Sequence, residues 1–411
     1  MPLKAPVPPE YFKCPPLSQA ENSRYVDMAE QGIQTLLQKA QLVGGPYEWK
    51  LLKDDSELKI YKGHGHGTTK TSVLHCGVMQ VVGELEENME IYRYDTTDQA
   101  REYIRRFGRA YVDFVRLYTV LPRHRDRPND AIHIKWILAK SPLDGLVARR
   151  DFVVLESDLE LKVGGKRAWV RAVHSIELDA VPDMRKELGC IRGYMYNMGF
   201  VAMESDRPGY LDMTYLADMD VRGKVPSWAN DFSLEAWIRS MTDIDRFMRE
   251  NRLSRTPFLR DDELWPLDSS HSCSLCRQKF CPWRVKTNCF KCGEVVCRGC
   301  NRLWHVTING QNRKVRACVT CSLSAGTAVT PAKKTSRSSR PALTPHNWTD
   351  ILSQISEWTE DKVAVIAEAD DVKSIDLSNY GDSGRERSTE DVVVLEIPSM
   401  RRLPDKEHPM S

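Results

Sequence analysis

Eight cysteines fall within 49 residues as four Cys-x-x-Cys pairs: Cys273 and Cys276, Cys289 and Cys292, Cys297 and Cys300, Cys318 and Cys321. Gaps of twelve, four and seventeen residues separate them. A Cys-x-x-Cys knuckle turns two sulfurs to one side, each able to reach a metal at about 2.3 Å, and structural zinc takes four such ligands. The pattern predicts two structural zinc ions. A closed four-thiolate site leaves no position for water, which argues against hydrolytic zinc chemistry. The competing reading is a disulfide framework, which needs an oxidising compartment. The N-terminus, Met1 to Pro9, lacks the apolar run of a secretory signal, so reduced, metal-bound thiols are expected. Spacing alone leaves open whether the two sites follow in series or interleave.

Other chemistry is sparse. No Ser-His-Asp order, phosphate-binding Gly loop with Lys, or paired-carboxylate constellation stands out, so no catalytic residue is assigned and no enzyme is expected. Two histidines in Gly63-His64-Gly65-His66-Gly67 are a weak metal candidate, and His305 is needed as a ligand only if a cysteine were missing. Arg150 and Asp151 read as a structural ion pair inside a sheet. The net charge is +2, yet His271 to Cys321 holds ten Lys or Arg against one acidic residue, Glu294. No recognition-helix spacing accompanies that basic run, so nucleic acid is not an expected partner. No stretch approaches the roughly 20 apolar residues of a membrane span, and a soluble, cytoplasmic chain is expected.

The elements that must position these residues follow from periodicity. Residues 1–17 are Pro-rich and irregular. A helix from Ser18 carries Tyr25, Met28, Ile33, Leu36 and Leu37 at three- and four-residue steps. Strand-like runs follow at 48–62, 71–82, 111–121, 132–139, 151–156, 168–178, 194–203 and 210–221, with helix within 84–107. After Pro226-Ser227 a long helix places Trp237, Met241, Ile244 and Met248 on one face. The class is α+β, with one curved antiparallel sheet wrapped around the C-terminal helix and no helix on its opposite face. Residues 253–263 read as a linker, 264–323 as the zinc module and 324–411 as a mostly disordered tail. Within the tail, 348–367 has weak helical spacing that reads as transient structure rather than a short docking helix, and 392–397 is a single apolar run.

Residues 18–252 resemble a START domain, the helix-grip lipid-binding module. The matching stretches are Tyr47 to Lys53, Leu58 to Tyr61, Arg149 to Val153 and Val221 to Trp228. The resemblance implies an apolar tunnel between sheet and C-terminal helix that takes one lipid. The same apolar residues are also compatible with a close-packed, filled core.

The cysteine module resembles a FYVE-type zinc finger. Trp265-Pro266-Leu267-Asp268 matches the family's leading Trp-x-x-Asp, Phe280 an aromatic position, Gly293 the glycine after the fourth cysteine, and Arg316 the Arg two before Cys318. These elements, and the lack of a histidine at a ligand position, weigh against a ubiquitin-transfer RING finger. The resemblance implies cross-bracing, with the first and third pairs on one zinc and the second and fourth on the other. The family reads phosphatidylinositol 3-phosphate with Arg/Lys-Arg/Lys-His-His-Cys-Arg. Here the aligned stretch is Val285-Lys286-Thr287-Asn288-Cys289-Phe290, which keeps one basic position. Trp283, Arg284, Lys286 and Arg316 are the membrane- or headgroup-binding candidates. Trp283 occupies the family's bilayer-inserting loop; the alternative is that it packs on the module. The resemblance implies a peripheral protein of endosomal membranes whose partners are a lipid ligand and an anionic or phosphoinositide surface. A protein partner such as a small GTPase is the alternative target of the finger.

Overall fold

The computed structural model describes residues 3–323 except 56–57, 65–72, 109, 141–142, 146, 164 and 224. The two tail segments, and most of the Gly-His loop, lie outside the described residues. The first part of the chain runs α1 (Gln19–Lys39), β1 (Glu48–Asp54), β2 (Leu58–His64), β3 (Val73–Val82), α2 (Leu85–Ile91), α3 (Thr97–Phe107), β4 (Tyr111–Leu121), β5 (Ala131–Ala139), β6 (Arg150–Val163) and β7 (Lys166–Ser175). It continues through α4 (Arg185–Leu188), β8 (Ile191–Arg192), β9 (Tyr194–Glu204), β10 (Tyr210–Asp220), α5 (Ser227–Arg239) and α6 (Met241–Ser254). The zinc module adds β11 (Lys286–Asn288), β12 (Val295–Cys297), β13 (Asn301–Ile308), β14 (Gln311–Cys318) and α7 (Val319–Leu323).

One sheet runs in the order β1-β2-β3-β10-β9-β7-β6-β5-β4, antiparallel throughout, with the short β8 added in parallel to β6. Alternate side chains point to opposite faces of a strand. In β5 all nine positions are buried, so both faces are covered. Ile132, Ile134, Trp136 and Leu138 pack with Ile33, Leu36 and Leu37 of α1. On the other face Phe152, Val154, Trp169 and Phe200 pack with α2, α5 and α6. The expectation of a sheet with one bare face is therefore corrected: α1, entered through a Ser18–Glu21 capping box, covers that side. The N-terminal segment helps, since Val7 N–H donates to the buried Asp113 carboxylate at 2.6 Å and Phe12 packs on Trp136.

The expected long C-terminal helix is two helices that meet at Ser240. Ser240 Oγ donates to Trp237 O at 2.6 Å and Thr242 Oγ1 to Arg239 O at 2.7 Å. Two hydroxyls competing for the same turn of carbonyls weaken the ladder there. α5 lies on the sheet, whereas α6 also reaches the zinc module. Among the described residues no helix is long and apolar enough to cross a membrane.

Arg150 and Asp151 do not pair. As neighbours on a strand they point to opposite faces. The Arg150 guanidinium donates to the carbonyls of Val221 and Arg222 at 2.9 and 3.1 Å. Asp151 accepts from Trp136 Nε1 at 3.0 Å and from Arg192 Nε at 3.0 Å.

Candidate functional site

The eight cysteines form two four-sulfur clusters, Cys273, Cys276, Cys297 and Cys300 in one, and Cys289, Cys292, Cys318 and Cys321 in the other. Within each cluster all sulfurs lie within 4.8 Å of one another, and Cys276 and Cys297 are 3.9 Å apart. A tetrahedron with Zn–S of about 2.3 Å has an edge of about 3.8 Å, so both clusters fit a zinc ion. Backbone N–H groups already point at the sulfurs: Cys297 N to Cys273 Sγ and Cys318 N to Cys289 Sγ, each at 3.2 Å. Such donors favour thiolate.

The interleaving has a local cause. Lys286 pairs with Cys297 and Asn288 with Val295, so the β11–β12 hairpin carries Cys289 and Cys292 at its turn and Cys297 and Cys300 at its far end. Pairs that are neighbours in sequence are thus separated by a hairpin's length and must seek partners elsewhere. The β13–β14 hairpin, closed by Asn309-Gly310 with φ of 51° and 77°, returns the chain so that Cys318 reaches Cys289. Cys281 belongs to neither cluster and is exposed.

Residues 264–326 match the family model of the FYVE zinc finger. The module is of the FYVE type. The sheet portion is similar to solved structures of human StAR-related lipid transfer protein 5 (15% identity, TM-score 0.44, covering 55% of this chain and 97% of that one). Human STARD10 is also similar (17%, 0.38, covering 49% and 72%), as is a STAR-related lipid transfer protein fragment from Xanthomonas axonopodis (19%, 0.35, covering 49% and 98%). A comparison with curated proteins gives no match.

At the positions where the FYVE family reads its headgroup, polar groups are used inside the module. Lys286 Nζ donates to Leu267 O at 3.0 Å and lies over the Phe280 ring. Arg316 donates to Asn301 O at 3.0 Å. Asn288 Nδ2 donates to Trp265 O and Gly293 O at 2.7 and 3.1 Å, and Thr287 Oγ1 to Val296 O at 2.9 Å. The buried Asn301 fastens this strand from behind, donating to Thr287 Oγ1 and Asn288 O. Trp283 is different. It is 93% exposed, so it does not pack on the module. Val285 is also exposed beside it, and Arg298 N–H donates to Val285 O at 3.1 Å, which sets a second basic residue near the half-buried Arg284.

The sheet portion holds a cavity of about 580 Å³ between the strands and α5–α6. Tyr92, Tyr103, Tyr111, Phe114, Phe200, Tyr215, Trp237, Ile244 and Phe247 line it, with Glu156 and Arg171 in its wall. Arg171 grips Asp158 with two bonds of 2.6 and 2.7 Å and donates to Tyr94 Oη and Tyr92 O at 2.6 and 2.9 Å. Those bonds account for four of its five N–H groups. Lys135 donates to Glu156 at 2.5 Å and lies over the Tyr94 ring. Burial opposes charge on Glu156, but Arg171 and Lys135 outweigh it and bring its pKa down to about 2. Burial likewise pushes the pKa of Tyr111 up to about 12 and that of Tyr92, Tyr94 and Tyr215 well above the usual phenol value. The cavity therefore presents neutral phenols beside a charge-paired wall. Such a lining suits an apolar molecule with a hydrogen-bonding group rather than an ion.

This network was not anticipated. The signal was present as charged residues at inward positions of otherwise apolar strands: Lys135 in Ile134-Lys135-Trp136, Glu156 and Asp158 after Val153-Val154-Leu155, and Arg171 between Val170 and Ala172. Periodicity marks such residues as buried only when the opposite face is known to be covered.

Proposed function

We propose that this chain is a peripheral lipid-binding protein. Its sheet portion, residues 18–252, takes up one lipid. Its zinc module, residues 264–323, rests on an anionic membrane surface. The observation that carries the reading is the cavity of about 580 Å³, with its aromatic wall and neutral phenols. That volume lies within the range of sites that enclose a small organic ligand. The exposed Trp283, with Val285, Arg284 and Arg298 around it, supplies an interfacial anchor and a basic collar. Each basic residue near an anionic leaflet is worth about 1 kcal/mol. Attachment is then salt-sensitive and set by surface charge. Selective reading of phosphatidylinositol 3-phosphate, and with it an endosomal address, needs Lys286 and Arg316 to leave their present carbonyl partners.

The internal use of those polar groups favours a second reading, in which the finger docks to a protein. Flotation with vesicles of phosphatidylcholine, of phosphatidylcholine with phosphatidylserine, and of phosphatidylcholine with phosphatidylinositol 3-phosphate separates the two. Binding to both charged compositions supports surface attachment. Binding to the 3-phosphoinositide alone restores headgroup reading, and binding to none leaves the protein-docking reading. Native mass spectrometry of the protein from its own cells tests the cavity: a retained lipid is expected, and a ligand-free mass with two zinc ions counts against it.

A further inference from the structure

α6 belongs to two cores at once. Its first half faces the cavity, where Met241, Ile244 and Phe247 form part of the lining, and Met248 is fully buried against the sheet. Its last turn belongs to the zinc module: Leu253 packs in the same cluster as Cys273, Cys289, Trp304 and Val306.

The join is polar and in register. β13 pairs with β14 on one edge. On its other edge His305 N–H donates to Glu250 Oε1 at 2.9 Å and Thr307 N–H to Ser254 Oγ at 3.0 Å. Two residues along a strand advance about 6.8 Å and four along a helix about 6 Å, so helix and strand edge match without distortion. Arg252, almost wholly buried, closes the assembly. It donates to Glu87 at 2.5 and 3.0 Å and to Val82 O at 3.4 Å in the sheet portion, and to Ser322 O and Leu323 O at 3.2 Å in the module. Those two carbonyls end α7, the helix that carries Cys321. A continuous set of contacts thus runs from one metal cluster through α7 and Arg252 to α2, and α6 is its middle member.

We propose that the zinc module is the clamp on the cavity's α6 wall: loading of the metal sites holds β13 and α7, these hold α6, and α6 keeps that wall of the cavity in place. A module without metal has no ordered β13 edge or α7 end to offer, and α6 keeps only its contacts to α2, α5 and the sheet. Coupling of this kind is reciprocal, so a ligand packed on Ile244 and Phe247 also steadies the module. The inference holds whatever molecule the cavity takes.

Hydrogen–deuterium exchange on the full chain tests it. Zinc removal by a chelator should speed exchange of amides 241–247 by about tenfold while strands β5 and β6 keep their protection. Arg252→Met should do the same with both zinc ions retained and amides 286–297 unchanged. Ser254→Ala, which removes one bond to β13 and none to α2, should give a smaller acceleration in the same place and serves if Arg252→Met does not fold. Unchanged exchange at 241–247 after chelation, with the module itself unprotected, overturns the proposal. So does unchanged exchange there in a folded Arg252→Met protein.

Discussion

The Arg171 network in the sheet portion and the eight thiols in the zinc module both crowd ionisable groups together, the first buried and the second with Cys276 and Cys292 exposed, and they are stabilised in opposite ways. Arg171, Asp158, Lys135 and Glu156 are of both signs and satisfy one another. The thiols are all of one kind. As thiolates they repel, and in each cluster only a cation can hold four together. A self-satisfied network makes each member costly to remove, whereas a metal cluster concentrates the stability of a whole module in one atom.

The largest break of that comparison is Cys289→Ser. Bound zinc in small fingers supplies about 10–16 kcal/mol of apparent free energy, so this change should unfold the module and lower the zinc content below two per chain. Metal analysis and the amide protection of β11–β14 check it, with β5–β7 expected to stay folded. Arg171→Met comes next. It leaves Asp158 with Arg123 and Glu156 with Lys135 as their remaining partners, at a cost of about 3 kcal/mol, read as a fall in the urea midpoint of the sheet portion without loss of zinc. Gly199→Ala should cost about 3 kcal/mol by the same measurement. Gly199 sits at φ 149°, and a Cβ there would overlap the carbonyl oxygen of Arg171.

Acid sharpens the comparison further. Burial pushes the pKa of His75 down to about 4 against the pull of Asp231, and that of His174 down to about 4. Their unfolded values are near 6.5, so below that pH the unfolded chain binds more protons. Stability should fall as pH drops from about 6.5 to about 4, by about 1.4 kcal/mol per pH unit for each proton taken up. Glu156 adds a second loss as pH falls through the carboxylate range towards 2. Thermal melts of the wild type and of His174→Phe check this, the variant showing a shallower decline above pH 4. The smallest effect on stability is expected of Trp283→Ala. The ring is exposed, so the melting temperature should not move, while binding to phosphatidylserine vesicles weakens. Arg284→Ala should cost about 1 kcal/mol of that binding and less at high salt.

Much of this was legible in advance because it depends on short-range pattern. β4 matches its expected limits, and β9 and β10 lie within one residue of theirs, since their turn residues are adjacent in sequence. Two zinc sites followed from the Cys-x-x-Cys knuckles. The Asn309-Gly310 turn carries an equally local signal for the β13–β14 hairpin. Less legible were features that depend on what lies above a strand. Whether Lys135 is solvated or buried is decided by Glu156 and by the Tyr94 ring laid over it, both from other segments of the chain. The same holds for the second covered face, which required α1 to fold back across β6, β7 and β9.

By itself the sequence determined the metal, the number of sites, the antiparallel strands and the loss of the basic headgroup motif, because ligand type, alternation and charge are properties of residues and near neighbours. Spacing left open which cysteines share a cluster, and the interleaved pairing implied by the family resemblance is the one the structure has; only the tertiary structure decided where the lost motif's remaining polar groups are spent, and that Arg252 joins two cores. Those are distances between segments far apart in the chain, and no local spacing encodes them.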